Sequence, residues 1–489
     1  MIWRKLWTIA NRIQGAAYVA ALCFCATVSA AQDLVLTSKQ GALTVEGRFI
    51  GYDGTYLQVE TSYGLLTLLY DNMTCVGAAC PAAQGYVPTF RLSGAAKMTT
   101  VLMPGLLEGF ARAQGYALTT TQGDAVTLAD ADGDVARFVF HASTTAEGFA
   151  DLTVHEADLV LAARAVLPDE VTRADEVGIG KLDHPQQRQI IGLDPVIFVG
   201  PAAPGRVDLQ EMAALHVVDN ALSLFFEGTA TTLHDTREAF DRALLEDGAV
   251  GAISLSARRG GQAKALLDQC GYLSVPDEVG FKTLNYPFAN PIHIYSPERR
   301  PHPVLQAFLR WIDTADAAQR VIRRAGFVNQ ELNEVPMGAQ GERLANAIRS
   351  AGAEVPLGEL QRMLRVLEGH TRMTLNFRFE DGSTRLDALS MSGLRRLARA
   401  ILNGDFDGQD IMLVGFTDGR GAAGANRDLS SARAEEVKRR LVMLIGDRWP
   451  DSVTIQTAAF GEALPVACDD TERGRKTNRR VELWVGQGG

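Results

Sequence analysis

From Leu34 to about Gly85 apolar and polar residues alternate, as in GALTVEGRFIGYDGTYLQVETSYGLLTLLY, with Leu43, Val45, Leu57 and Val59 on one side. This period of two, with the tight-turn pair Asp53-Gly54, predicts a small module of β-hairpins over residues 31–88. From Thr89 to Val328 the rhythm changes. FRLSG reads as a strand, MTTVLMPGLLEGFARAQG as a helix burying Val101, Leu102, Leu106 and Phe110, DPVIFVG as an apolar strand, and VLQAFLRWI as the start of a helix. Interleaving of this kind predicts an α/β domain over residues 89–330, built on a mostly parallel sheet with crevices at its strand ends. Residues 331–370 are charged and helical in period, which predicts a connecting pair of helices. The last unit, residues 371–489, reads strand (MTLNFRFEDG), helix (ALSMSGLRRLARAIL), strand (QDIMLVGFTD), helix (SSARAEEVKRRLVMLIG) and two strands (SVTIQTAAFG, NRRVELWV).

In the second of these helices Arg433 shares a side with Val437, Leu441 and Leu444, the stripe that packs on the sheet. An arginine entering that stripe needs acceptors for its fork of donors. Asp418 ends the strand whose glycine-rich loop feeds the helix, so the chain returns both groups to one edge of the sheet. Two arrangements fit. One is a structural salt bridge or a snorkelling arginine; the other is a socket for a zwitterion, the acid taking an ammonium group and the arginine a carboxylate.

Composition bounds the rest. A chain of 489 residues exceeds one ordinary core, and 46% apolar with 22% charged residues is the balance of a folded protein. The formal net charge is −10, which argues against nucleic-acid binding by phosphate neutralisation. The first thirty residues, with Arg4, Lys5 and Arg12 before an apolar run closing on Val28-Ser29-Ala30, read as an export signal cleaved before Ala31. Four cysteines remain after that cleavage. In an oxidising compartment Cys75 and Cys80 are expected to close a small loop, while Cys270 and Cys468 either pair across domains or stay buried. No catalytic constellation stands out: His155, His184, His216 and His234 are scattered, no metal-ligand spacing occurs and no serine sits in a nucleophile elbow. The expectation is a binding protein, neither an enzyme nor a carrier of metal or cofactor.

Three ordered motifs, FRFEDGSTRLD, GFTDGRGAAGANRDLSSARAEEVKRRL and GRKTNRRVELWV, resemble the peptidoglycan-associating C-terminal domain of the OmpA family over about Thr371 to Val485. The resemblance implies a βαβαββ fold in which Asp418 and Arg433 hold the diaminopimelate of the wall's stem peptide. Thr417 and Asn426 match the residues around them, and Asn478, Arg479 and Arg480 match the closing NRR of the family. Phe416 departs from the pattern, since many members carry histidine there. More loosely, Phe90 to Asn329 resembles the periplasmic phosphate-binding type of two-lobed solute receptor, with LSGAAKMTTVLMPGLLEGFA as first strand, anion loop and helix. Hydroxyls thin out here: Ala95, Ala96, Ala162 and Ala163 stand where a phosphate site wants serine or threonine. Lys97, Thr99 and Arg164 remain as a candidate site for a different small anion; the other reading is a receptor fold kept as an interaction platform. The expected whole is multidomain, α/β and α+β: a β module, a two-lobed receptor-like domain, and an OmpA-like domain. Its expected place is the periplasm, bound to peptidoglycan and associated with outer-membrane or envelope proteins. The alternative is a receptor delivering phosphate or another oxyanion to an ABC transporter.

Overall fold

The computed structural model describes residues 33–82, 85–121, 125–200, 206–208, 251–258, 262–352, 354–380 and 383–487. The export signal, its cleavage point before Ala31, His216 and His234 lie outside these residues. Among the described residues no helix is long and apolar enough to cross a membrane. Among the described residues the Cα framework separates into two compact units, one of residues 33–51 with 57–81, the other of residues 52–56 with those from 82 onward.

The first unit centres on a sheet of five strands, β1 (Leu34–Ser38), β2 (Thr44–Tyr52), β3 (Tyr56–Thr61), β4 (Gly64–Leu69) and β5 (Met73–Val76), in the order β4-β3-β2-β1-β5. Leu34, Leu36, Val45, Leu57 and Val59 fill its core, whereas Leu43, expected beside Val45, lies in the turn before β2 and is half exposed. A disulfide joins Cys75 to Cys80, Cα atoms 5.9 Å apart.

The second unit begins with a seven-stranded sheet. Its strands are β6 (Thr89–Ala95), β7 (Ala117–Thr121), β8 (Ala125–Asp130), β9 (Gly133–Ser143), β10 (Leu159–Ala162), β11 (Arg188–Leu193) and a later strand, Pro291–Tyr295, in the order β11, Pro291–Tyr295, β10, β6, β9, β8, β7. Only the β6–β9 and β6–β10 pairings are parallel, so the expectation of a mostly parallel sheet is corrected to a mixed one. The physical reason is local: ADADGD folds back as a tight turn in which Asp130 Oδ1 accepts from Asp132 N at 2.9 Å, making β8 and β9 a hairpin. The core packs α1 (Met103–Gln114) and the helix Pro303–Thr314 on this sheet through Leu102, Leu106, Phe110, Phe138, Phe308 and Trp311. Val101, expected in that set, is exposed, because the chain enters α1 through a wider π-type turn, Met98–Leu102, that rotates it outward.

The same unit ends in a five-stranded sheet ordered Glu334–Val335, His370–Arg378, Arg480–Gln487, Gln409–Phe416 and Thr454–Ala459. Gln409–Phe416 pairs in parallel with Thr454–Ala459, in register from Asp410 opposite Thr454 to Gly415 opposite Ala459. The helices Ala388–Leu402 and Ala423–Ile445 pack on it through Leu394, Leu397, Val437, Leu441 and Ile445. Leu444, read from the sequence as part of that stripe, is partly exposed, and Ile445 takes the buried place one position on. The helix also starts at Ala423, two turns ahead of the apolar pattern.

Specific contacts tie the region of this last sheet to the segments that precede it in the unit. Cys270 and Cys468 form a disulfide, Cα atoms 5.3 Å apart, and Asp268 accepts from Cys468 N at 2.7 Å. Arg399 pairs with Asp313 at 2.6 Å. Arg378, 4% exposed, donates to the carbonyls of Thr283 and Leu284 at 3.1 and 2.9 Å. Beneath the second sheet lies a charged core. Glu482, fully buried, receives Arg480 at 2.7 Å, Arg372 at 3.3 Å, Arg343, and the indole N–H of Trp484 at 3.2 Å.

Candidate functional site

The strand Gln409–Phe416 delivers Thr417 and Asp418 to the edge of the C-terminal sheet, and the helix Ala423–Ile445 carries Arg433 back past them. Gly415 permits that return, since a Cβ there would lie 2.1 Å from the carbonyl oxygen of Ser430. In the loop between, Gly421 adopts φ +98°, a conformation L-residues avoid.

Asp418 and Arg433 are 8% and 3% exposed and do not pair directly. Asp418 Oδ2 accepts from Arg479 Nη1 at 3.1 Å, and Oδ1 from the backbone of Arg420 at 3.2 Å. Arg433 lies with its guanidinium 5.3 Å from the centre of the Phe379 ring, and its Nε and Nη1 are buried without any hydrogen-bond partner. Burial first, and the neighbouring Arg479 second, lower the pKa of Arg433, with Asp418 opposing them. A guanidinium remains charged throughout the physiological range, so two donors point into protein with no acceptor.

The supporting residues divide into two sets. Thr417 donates its hydroxyl to the carbonyl of Asp418 at 2.9 Å and its N–H to Gly461 at 2.9 Å, which fixes the acid's backbone. Asn426, buried on the first turns of the helix, donates to Glu462. Arg479 joins Asp418 to Glu472, the latter at 3.0 Å. Asn478 has no exposed surface: its carbonyl accepts from Val466 and Ala467, and its amide donates to Ala467 O and Asp469 Oδ1, both at 2.7 Å. It therefore holds the 466–469 loop and is spent on the protein itself. Asp469 in turn accepts from Gly419 N at 2.6 Å, so the loop tied down by the Cys270–Cys468 disulfide also braces the Asp418 turn.

Sequence reasoning missed Phe379, Glu462 and Asp469. Phe379 stands in the FRF motif, and Glu462 and Asp469 sit in irregular loops with no periodicity to mark them.

Lys97, Thr99 and Arg164 follow the ends of the paired parallel strands β6 and β10, and two of the three are engaged within the protein. Thr99 is fully buried and gives its hydroxyl to the carbonyls of Ala95 and Ala96, at 3.3 and 2.9 Å. Arg164 makes a bidentate pair with Glu170 at 2.8 and 2.8 Å and lies over the Phe149 ring. Lys97, half-buried, lowers the pKa of Asp194 slightly against a larger rise from burial.

The C-terminal sequence has counterparts among known proteins. Residues 378–479 match the OmpA family. The chain is 35% identical over 107 residues to the outer-membrane lipoprotein YfiB of Pseudomonas aeruginosa, covering 22% of this chain and 60% of that protein. It is 32% identical over 116 residues to the peptidoglycan-associated lipoprotein of the same organism, covering 24% and 65%. The chain thus spans less than two thirds of the length of these curated relatives. In fold, 49% of the chain aligns with 99% of an ABC-type phosphate transport receptor from Vibrio cholerae, at 12% identity and a TM-score of 0.35.

Proposed function

We propose that this is an exported protein of the cell envelope that grips peptidoglycan non-covalently through the pocket of Asp418 and Arg433. The observation that carries the reading is Arg433, whose Nε and Nη1 are buried beside an acid yet lack acceptors. Such donors cost about 1–3 kcal/mol when left unmade, a cost that a bound carboxylate offsets. Asp418, held by a single side chain, keeps lone pairs for an ammonium group. One carboxylate and one ammonium on a single carbon match diaminopimelate in the stem peptide. Thr417 and Asn426 brace the pocket, Arg479 orients the acid, and Asn478 shapes the adjoining loop. Arg433 is held on a long helix, which suits a reversible tether.

For the receptor-like part, we infer an interaction platform for an envelope partner. The reading rests on Arg164, whose charge Glu170 already neutralises, and on Thr99, whose hydroxyl is used within its own turn. Transport of phosphate would require donors that these two residues no longer offer.

Sedimentation with purified sacculi tests the tether. The wild-type chain is expected to pellet with the wall, and Asp418→Ala to stay in the supernatant with unchanged circular dichroism. Pelleting of the Asp418→Ala protein at the wild-type level overturns the reading.

A further inference from the structure

The N-terminal β module leaves one edge of its sheet open. In the order β4-β3-β2-β1-β5 each outer strand has a single neighbour. β5 is four residues long and runs into the loop closed by the Cys75–Cys80 disulfide, so it offers little edge. β4 is six residues, GLLTLL, with neither a charge nor a proline. Among the described residues no backbone hydrogen bond reaches it from outside its own sheet. Sheet edges are commonly blunted by lysine or proline, and an apolar edge without them is a template for another strand.

The side chains say which strand. Leu65-Leu66-Thr67-Leu68-Leu69 reads the same in both directions about Thr67. An antiparallel copy related by a two-fold axis at Thr67 therefore sets Thr67 opposite Thr67, Leu65 opposite Leu69 and Leu66 opposite Leu68, the members of each pair on one face of the sheet. Leu65 and Leu69, which share a face with Thr67, are each 38% exposed, and Tyr63, in the turn ahead of the strand, is 94% exposed. Leu66 and Leu68 alternate to the other face and are half-buried.

From this we propose that the open edge of β4 takes a second copy of this chain, antiparallel about Thr67, so that two five-stranded sheets become one of ten strands. A two-fold interface has to complement itself. An uncharged palindrome does so at every position, leucine against leucine and hydroxyl against hydroxyl, with no like charges opposed. A strand from another protein would need no such symmetry. Each copy carries its own Asp418 pocket, so the dimer brings two wall grips together and gains avidity. That consequence rests on the tether; the pairing itself does not.

One six-residue strand pair is a small interface, so a Kd on the order of 10 µM is expected. Sedimentation equilibrium of the full-length protein at about 300 µM is expected to show mostly dimer. Thr67→Lys, which sets two ammonium groups opposite each other at the axis, is expected to weaken the dimer about tenfold or more. Under air oxidation Thr67→Cys is expected to give a covalent dimer, because directly opposite Cβ atoms lie about 4.5–5.5 Å apart. Leu66→Cys, whose counterpart is displaced two positions along the strand, is expected to cross-link far less. Wild-type protein that stays monomeric at about 300 µM, a dimer unmoved by Thr67→Lys, or equal cross-linking of the two cysteine variants overturns the proposal. Should Thr67→Lys misfold, the wild-type sedimentation and the cysteine comparison still decide. Sacculus binding by a protein that is monomeric throughout refutes the pairing without touching the tether.

Discussion

Arg433→Met is expected to make the protein more stable and unable to hold the wall. In the free protein the guanidinium is 3% exposed, with Nε and Nη1 lacking acceptors, so it carries a desolvation cost that nothing in the fold repays. Methionine follows the same path across Phe379 with no polar group to bury. The lost cation–π contact costs about 2 kcal/mol at so desolvated a site, whereas relieving the two orphan donors returns about 1–3 kcal/mol each. The net gain is about 1 kcal/mol, a rise of roughly 2–8 °C in the melting transition of the C-terminal part. Wall binding moves the other way. Removing a buried, charge-assisted contact costs about 2–5 kcal/mol of affinity, some 30-fold to several thousand-fold, enough to empty the sacculus pellet. Calorimetric melting and pelleting of the same preparation check both halves. A fall in melting temperature with retained pelleting shows that Arg433 is a structural residue.

The second large effect is expected at Glu482. The buried guanidiniums of Arg372 and Arg480 and the half-buried one of Arg343 depend on this one carboxylate, so Glu482→Gln leaves them facing a neutral amide at an expected cost of about 3–5 kcal/mol. Burial by itself raises the pKa of Glu482, but Arg343, Arg372 and Arg480 together more than offset it and hold the carboxyl well below the usual carboxylate range. A depressed folded-state pKa contributes stability that is fully present above the unfolded value, about 4.3, and drains away as pH falls below it toward the folded pKa. The difference between wild type and Glu482→Gln is therefore expected to be constant from pH 8 to about 5 and to narrow below about pH 4. Urea unfolding across that range measures it. A difference that persists undiminished at pH 3, or one below 1 kcal/mol at pH 7, contradicts the account of the cluster.

Much of this architecture is legible in the sequence because its signals are periodic. The C-terminal strands and helices follow from apolar stripes, and Asp418 and Arg433 from their place at the ends of a strand and within a stripe that an arginine should not enter. Readings strayed where periodicity is absent or misleading. Leu43 continues the alternation of its strand on paper but falls in the turn, and Leu444 obeys helical spacing while Ile445 is the residue that reaches the core. The helix Ala423–Ile445 begins in AGANRDL, whose polar turns carry no stripe, so its start was invisible. The short helix Glu472–Asn478 spans seven residues, too few for a pattern, although Thr471 caps it by accepting from Gly474 N at 3.0 Å. The hairpin of β8 and β9 did have a signal, Asp132-Gly133, which the interleaving of strands and helices masked. Asn478 shows a further limit. A motif marks it as part of the site, but only its four hydrogen bonds show that it is spent on the 466–469 loop. The same holds for Arg164, which composition offers as a free cation for an anion and the fold gives to Glu170.

The most direct test of the tether is a crystal structure of the wild-type protein soaked with meso-diaminopimelate. The account predicts the ligand's carboxylate on Arg433 Nε and Nη1, its ammonium on Asp418, and little movement of either side chain. An empty pocket at saturating ligand, or a ligand that leaves the Arg433 donors unmet, contradicts it.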